Sequence, residues 1–181
     1  MAKTARKVSS VISRQAAEQG FTRLVIEADI APPAPDAISF SEIDLNLTLA
    51  QGDVVIAMRL DMFMGQTTIA DLRGQAGYIS WGLVTDPGIL DLQLHHRNVV
   101  MSKAHDYGAA TSSGMVLPFS IDYMDFPGHG LPCVPAPLYF AVKSLSMTIG
   151  GNFNFRLYYY TIKVSPVEAL DLLQAMLPQS V

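Results

Sequence analysis

The chain has 181 residues, half of them apolar and 15% charged, with a formal net charge of −4. That balance excludes a disordered chain, which is polar and highly charged, and the length suits one domain with a core large enough to need no staples. A single cysteine, Cys133, excludes an intrachain disulfide and any cysteine-based zinc spacing. It reads as a small buried hydrophobe in a protein of a reducing, or disulfide-free extracellular, setting.

Charge is unevenly placed. Lys3, Arg6, Lys7 and Arg14 against Glu18 leave +3 on residues 1–19, while eight basic and fifteen acidic residues leave −7 on the remainder. A short basic arm on an acidic body is foremost a solvated terminus. It can also touch nucleic acid or a partner's acidic face, although four cations are few for a phosphate-binding tail. Val8–Gln19 is polar and mixed, unlike the apolar stretch of a signal peptide. No apolar run approaches the ~18 residues that span a bilayer. The expectation is a soluble chain made in the cytosol, with an arm over residues 1–19 and a single domain over 20–181.

Ser10–Gln19 could form a short helix, too short to stand alone. Thr22–Ile30 has strand period: Leu24, Ile26, Ala28 and Ile30 share one face, and Arg23, Glu27 and Asp29 the other. The prolines of Ala31–Pro35 end it. Glu42–Leu49 and Val54–Met64 read as a hairpin around Ala50–Asp53, with Val54, Ile56, Met58, Leu60, Met62 and Met64 on one face of the return strand. Gly65–Gly77 reads as a loop, Tyr78–Val84 as a strand closed by the Asp86–Gly88 turn, and Arg97–Leu117 as a long loop without pattern. Pro118–Met124 reads as a strand and Asp125–Pro137, dense in Pro and Gly, as irregular. Leu138–Ile149 and Phe153–Val164 read as a second hairpin around Gly150–Asn152. Its return strand is apolar on both faces, with Phe153, Phe155, Leu157 and Tyr159 opposed to Tyr158, Tyr160, Ile162 and Val164, and so is buried from both sides. Ser165–Glu168 forms a capping box with proline at its first helical position, opening a helix over 165–177. Seven or eight strands with turns and one terminal helix predict an all-β, antiparallel sandwich, jelly roll or barrel rather than alternating β/α units.

Candidate chemistry is sparse. His95 and His96 are adjacent and would face opposite ways on a strand, while His105 and His129 sit in expected loops. A three-histidine metal site from them is conceivable, but the His-x-His pair of a cupin-like enzyme is missing. There is no Gly-x-Ser-x-Gly elbow, and Ser112–Gly114 reads as a flexible loop. Phosphate-binding fingerprints are absent, since Gly150–Gly151 opens no helix. Asp122 and Asp125 could serve a glycosidase, yet paired acids near a turn are ordinary loop chemistry. Tyr158–Tyr160 could form a stacking platform, but the simpler role is packing. No enzyme, cofactor or metal is expected.

Pro135–Val142 and Arg156–Pro166, a proline-bounded strand and an Arg-Leu-Tyr-Tyr strand flanking a Gly/Asn turn, resemble the closing strand pair of the single jelly-roll capsid proteins of small icosahedral viruses. As a pattern the resemblance covers residues 20–165, and the short basic arm is similar too. It implies an antiparallel β-sandwich of jelly-roll type with an N-terminal arm and one C-terminal helix. It implies a structural, non-enzymatic subunit that self-associates into a shell or ring, alone or beside other capsid proteins, made in host cytoplasm and located in the virion. Weak nucleic-acid contact would fall to Lys3, Arg6, Lys7 and Arg14. Subunit contacts would fall to Tyr107, His129, Tyr158 and Tyr160, with the loops Arg97–Leu117 and Asp125–Pro137 meeting neighbours. The alternative is a non-catalytic sandwich that binds a carbohydrate or another small ligand.

Overall fold

A computed structural model describes residues 23–45, 53–72, 75–93, 98–107, 119–123, 130–133 and 137–165, with Val167, Glu168 and Asp171. Among them the elements run β1 (Leu24–Ile30), β2 (Ile38–Ile43), β3 (Asp53–Met64), α1 (Gln66–Leu72), β4 (Gly77–Val84), β5 (Val99–Tyr107), β6 (Phe119–Asp122), β7 (Leu131–Cys133), β8 (Leu138–Leu145) and β9 (Phe153–Lys163).

The strands form two antiparallel sheets, in the orders β1-β9-β3-β6 and β2-β8-β4-β5, with β7 also paired to β3. This is the interleaved order of a jelly-roll sandwich. It corrects both expected hairpins. β2 pairs with β8 rather than β3, and β8 pairs with β2 and β4 rather than β9. Gly150–Asn152 therefore carries the chain from one sheet to the other instead of turning it back beside itself. Alternation sets the buried face of a strand but not its neighbour, which is chosen by packing across the whole sandwich.

The core lies between the sheets. Trp81 and Phe140 from the second sheet meet Phe155 from the first, with ring centroids 6.0 and 5.4 Å from it, and all three side chains are essentially inaccessible. Ile30, Leu60, Met62, Leu83, Met101 and Leu157 fill the space around them. Gly82 is required where β4 meets β5, because a Cβ there would lie 2.1 Å from the Met101 carbonyl oxygen.

β3 departs from its expected pattern at one residue. The β3–β9 register shifts between Ala57 and Arg59, so Met58 is the extra residue of a bulge. Before it, Val55 and Ala57 face the core while Val54, Ile56 and Met58 face out; after it, Leu60, Met62 and Met64 face the core. The six residues expected on one face are thus shared between two. The opposite edge of β3 breaks at the same level. β6 covers Arg59–Met62 and β7 covers Val55–Ala57, and the Tyr123 amide donates to the Met58 carbonyl between them, at 2.8 Å. Gly130, at φ 150°, re-enters the ladder where a Cβ would lie 2.7 Å from the Ala57 carbonyl oxygen.

Three stretches expected to be irregular contain elements. Arg97–Leu117 holds β5, Gly65–Gly77 holds α1, and Asp125–Pro137 holds β7. The α1 helix is held from outside: the Thr68 hydroxyl donates to the Asn152 carbonyl at 2.9 Å, and the Gly150 amide donates to the Asp71 carboxylate at 2.7 Å. At the C-terminus the capping box forms as expected. The Ser165 amide donates to the Glu168 carboxylate at 3.0 Å, the Glu168 amide donates to the Ser165 hydroxyl at 3.3 Å, and Val167, Glu168 and Asp171 are helical. The rest of the expected 165–177 helix and the 1–19 arm lie outside the described residues.

Two outcomes follow from this packing. Phe155→Ala is expected to lower the unfolding free energy in urea by about 3–5 kcal/mol, because it empties the aromatic centre of the core. Cys133 is fully buried, and burial pushes its thiol up to about 12. It should resist a thiol reagent at pH 8 in native protein and react stoichiometrically in denaturant.

Candidate interaction surface

The outer face of the β1-β9-β3 sheet divides into an apolar half and a charged half. Val54, Ile56 and Met58 of β3 meet Tyr160 and Ile162 of β9, and Val164 just beyond it, in a second cluster that is buried although it lies outside the sandwich. The two-sided apolar reading of this strand therefore holds. Burial pushes the Tyr160 phenol up to about 12.

The charged half begins after the bulge. Arg59 Nε donates to Asp61 at 2.6 Å, and its Nη2 donates to the Ser120 hydroxyl at 3.2 Å. The bond to Asp61 is the main reason the Arg59 pKa is raised. The Asp61 side chain is 2% exposed and that of Arg59 32%, so the carboxylate depends on this guanidinium. Arg156 Nε donates to Glu27 at 2.5 Å, its Nη1 donates to the Tyr158 hydroxyl at 3.4 Å, and its guanidinium lies 5.2 Å from the Phe63 ring centroid. Asn154 donates to Asp29 across the same β1–β9 ladder. Tyr158 lies beneath Arg23 at 4.1 Å and Arg59 at 5.7 Å. Glu27, Asp29, Phe63, Asn154 and Arg156 line a groove of about 240 Å³ at one end of this face.

On the outer face of the second sheet, Ile89 and Leu92 fold over Val84 and Ala141, with Phe40 and Tyr139 packed alongside. Lys143 ties this cover down by donating to the Leu90 carbonyl at 2.9 Å. Beyond the cover, Tyr78 and Leu145 stand opposite each other in the β4–β8 ladder, 46% and 42% exposed. Leu24 and Val25 are the other exposed apolar neighbours, at the start of the edge strand β1.

No protein-family model and no curated protein matches the chain. Among solved structures, Merkel cell polyomavirus VP1, in complex with GD1a oligosaccharide, aligns with a TM-score of 0.53 at 10% identity, over 80% of this chain and 96% of that one. The fold is a jelly-roll sandwich like that of this VP1. Human polyomavirus 12 VP1, in complex with 3'-sialyllactosamine, aligns at 0.49 and 10% identity over 79% of this chain and 99% of that one. Tomato aspermy virus aligns at 0.42 and 9% identity, over 81% and 79% respectively.

Three of the four expected contact residues are among those described. Tyr158 is half-buried on the outer face, Tyr160 is buried beside it, and Tyr107 at the end of β5 is buried with its phenol pushed up to about 12. His129 and the cations Lys3, Arg6, Lys7 and Arg14 lie outside the described residues, as do His95, His96 and Asp125. His105 is on β5 rather than in a loop, and among the described residues no group of three or more His, Cys, Asp or Glu could hold a metal. The Tyr78–Leu145 pair escaped sequence reading. Each residue alternates correctly in its own strand, and only the cross-strand register reveals an exposed pair.

Arg59→Leu should destabilise the protein by at least about 2 kcal/mol in urea unfolding, because it leaves the Asp61 carboxylate buried without its cation. The double variant Arg59→Leu/Asp61→Asn should recover part of that loss.

Proposed function

We propose that this chain is a structural shell subunit that self-associates into a closed particle or ring and acts without catalysis. The observation that carries this reading is the strand order itself: two sheets that interleave as β1-β9-β3-β6 and β2-β8-β4-β5, the architecture of the coat-protein jelly roll. Such a sandwich is a rigid wedge with two broad faces, and a wedge repeated about a symmetry axis closes a shell. Surface apolar pairs and aromatic rings beside guanidinium groups are the materials of protein interfaces. Tyr78 with Leu145 and Leu24 with Val25 supply the first, and Tyr158 among Arg23, Arg59 and Arg156 supplies the second.

In this reading residues 1–19 form the arm and 20–181 the shell domain. Lys3, Arg6, Lys7 and Arg14 make weak contact with nucleic acid, and other capsid proteins join the same assembly. Synthesis takes place in host cytoplasm and the destination is the virion. Tyr107, His129, Tyr158 and Tyr160 belong to the contacts between subunits, Tyr158 directly and the buried Tyr107 and Tyr160 by holding their strands in place.

A second reading, a carbohydrate-binding sandwich, draws on the outer-face groove, where carboxylates, an amide and the Phe63 ring converge as sugar recognition requires. Light scattering on a sizing column with negative-stain microscopy separates the two. Particles or rings are expected, and Tyr78→Glu/Leu145→Lys should reduce them to smaller species while shifting the unfolding free energy by no more than about 0.5 kcal/mol. A persistent monomer at high concentration across salt and pH would sink the shell reading, and glycan-array binding by that monomer would establish the second.

A further inference from the structure

Among the described residues, few contacts close the edge where β5 of one sheet faces β6 of the other. β6 has four residues, none fully buried, and its ladder to β3 runs only from Phe119 to Asp122. Across the gap, Lys103 Nζ donates to the Ser120 carbonyl at 3.2 Å. The main contact is aromatic: the His105 imidazole lies 4.0 Å, centroid to centroid, from the Phe119 ring. The Trp81 indole lies nearly parallel to the same imidazole, at 6.3 Å. His105 Nε2 is buried and makes no hydrogen bond, and neither does the nearby strand-mate Tyr107 at its hydroxyl nor Trp81 at Nε1.

We propose that His105 is an acid-sensitive latch: the neutral imidazole wedges between Trp81 and Phe119 and holds β6 against β5, and the imidazolium leaves that slot and releases β6 from the edge. The neighbours favour the neutral form from every side. Inward from β4 come Ile79 and Trp81, and from β9 comes Phe155. β6 turns Phe119 and Ile121 inward, while Ser120 and Asp122 pair with Asp61 and Arg59 on the outer face. On β5 itself, Lys103 and Tyr107 share the face of His105, and Asp106 points the other way, opposite Tyr78. The phenols of Tyr107 and Tyr123 are kept protonated by burial, so they offer no negative charge. Among the described residues, then, the charged group on that face is the Lys103 ammonium, which repels an imidazolium. Burial first, and Lys103 second, hold the imidazole below its ordinary value of 6.5.

The sign follows from linkage. A released His105 takes up its proton near 6.5 and a latched one only at lower pH, so the released form binds more protons as pH falls below about 6.5 and the edge loosens in acid. The latch needs no assembly and stands apart from the shell reading.

Hydrogen exchange on the full chain, corrected for intrinsic rates, tests it at pH 7.5 and pH 5. Protection of the β6 amides should fall by about tenfold in acid, while that of the central β9 amides holds. His105→Phe, which fills the slot without titrating, should keep β6 protected at both values. If wild type and His105→Phe lose β6 protection alike, or if neither loses it, the latch is wrong. Imidazole resonances in the unmodified protein give an answer that no folding defect can mask. A His105 midpoint below 6.5 is expected, and one at or above 6.5 overturns the proposal.

Discussion

The ladder between β3 and β9 is the constraint on which the rest of the sandwich depends. It is the longest pairing in the molecule, running from Asp53 with Lys163 to Met64 with Phe153. β1 attaches to its far side and β6 and β7 to its near side. Its inward residues, Phe153, Phe155 and Leu157 with Leu60 and Met62, form the floor on which Trp81 and Phe140 of the other sheet rest. One bulge at Met58 lets a single strand serve two apolar clusters, inside the sandwich and outside it. The same residue marks where the outer face changes from hydrocarbon to ion pairs, so local backbone geometry, more than composition, draws the border between the cluster around Tyr160 and the charged field around Tyr158.

How legible this was depended on the element. β1 and β4 were readable because each alternates, and β9 because apolar and aromatic residues line both its faces, from which its double-sided burial followed. β5 was not readable. As an edge strand it mixes Ser102, Lys103, Ala104 and Asp106 with apolar residues, and a strand with one free side carries little periodic signal. The α1 helix lacks an acidic first turn and a basic last turn, and it exists because Asn152 and Gly150, far along the chain, satisfy Thr68 and Asp71. Strand partners were the largest miss. Each expected hairpin joined neighbours in sequence, whereas the sandwich sends β2 and β3, and β8 and β9, to opposite sheets, a choice that resides in long-range packing. The charged network around Tyr158 was half visible. Arg59 and Asp61 could be placed on one face, but Glu27 opposite Arg156 needs the β1–β9 register.

The two sheets also treat their exteriors differently. The second is roofed by its own chain, with Ile89 and Leu92 over Val84 and Ala141, while the Tyr78–Leu145 end stands open. The first keeps a polar field in which two carboxylates also fix the arginines they bond near a ring: Asp61 holds Arg59 near Tyr158, and Glu27 holds Arg156 near Phe63. Exposed ion pairs add little to stability on their own. Here they hold guanidinium groups beside aromatic rings on the sheet's outer face.

The interruption between β6 and β7 has a bearing on how such a chain changes length in evolution. The ladder along β3 stops at Asp122, accepts one more bond from Tyr123, and resumes at Leu131 after the Gly130 bend. Both ends of the gap are anchored by β3 itself, so β6 and β7 each take their register from β3 and not from the chain between them. Elsewhere in β3 one lost residue would turn half of the strand inside out. An insertion or deletion at this seam would leave the sandwich around it in step, so a new surface feature there would not require a rebuilt core.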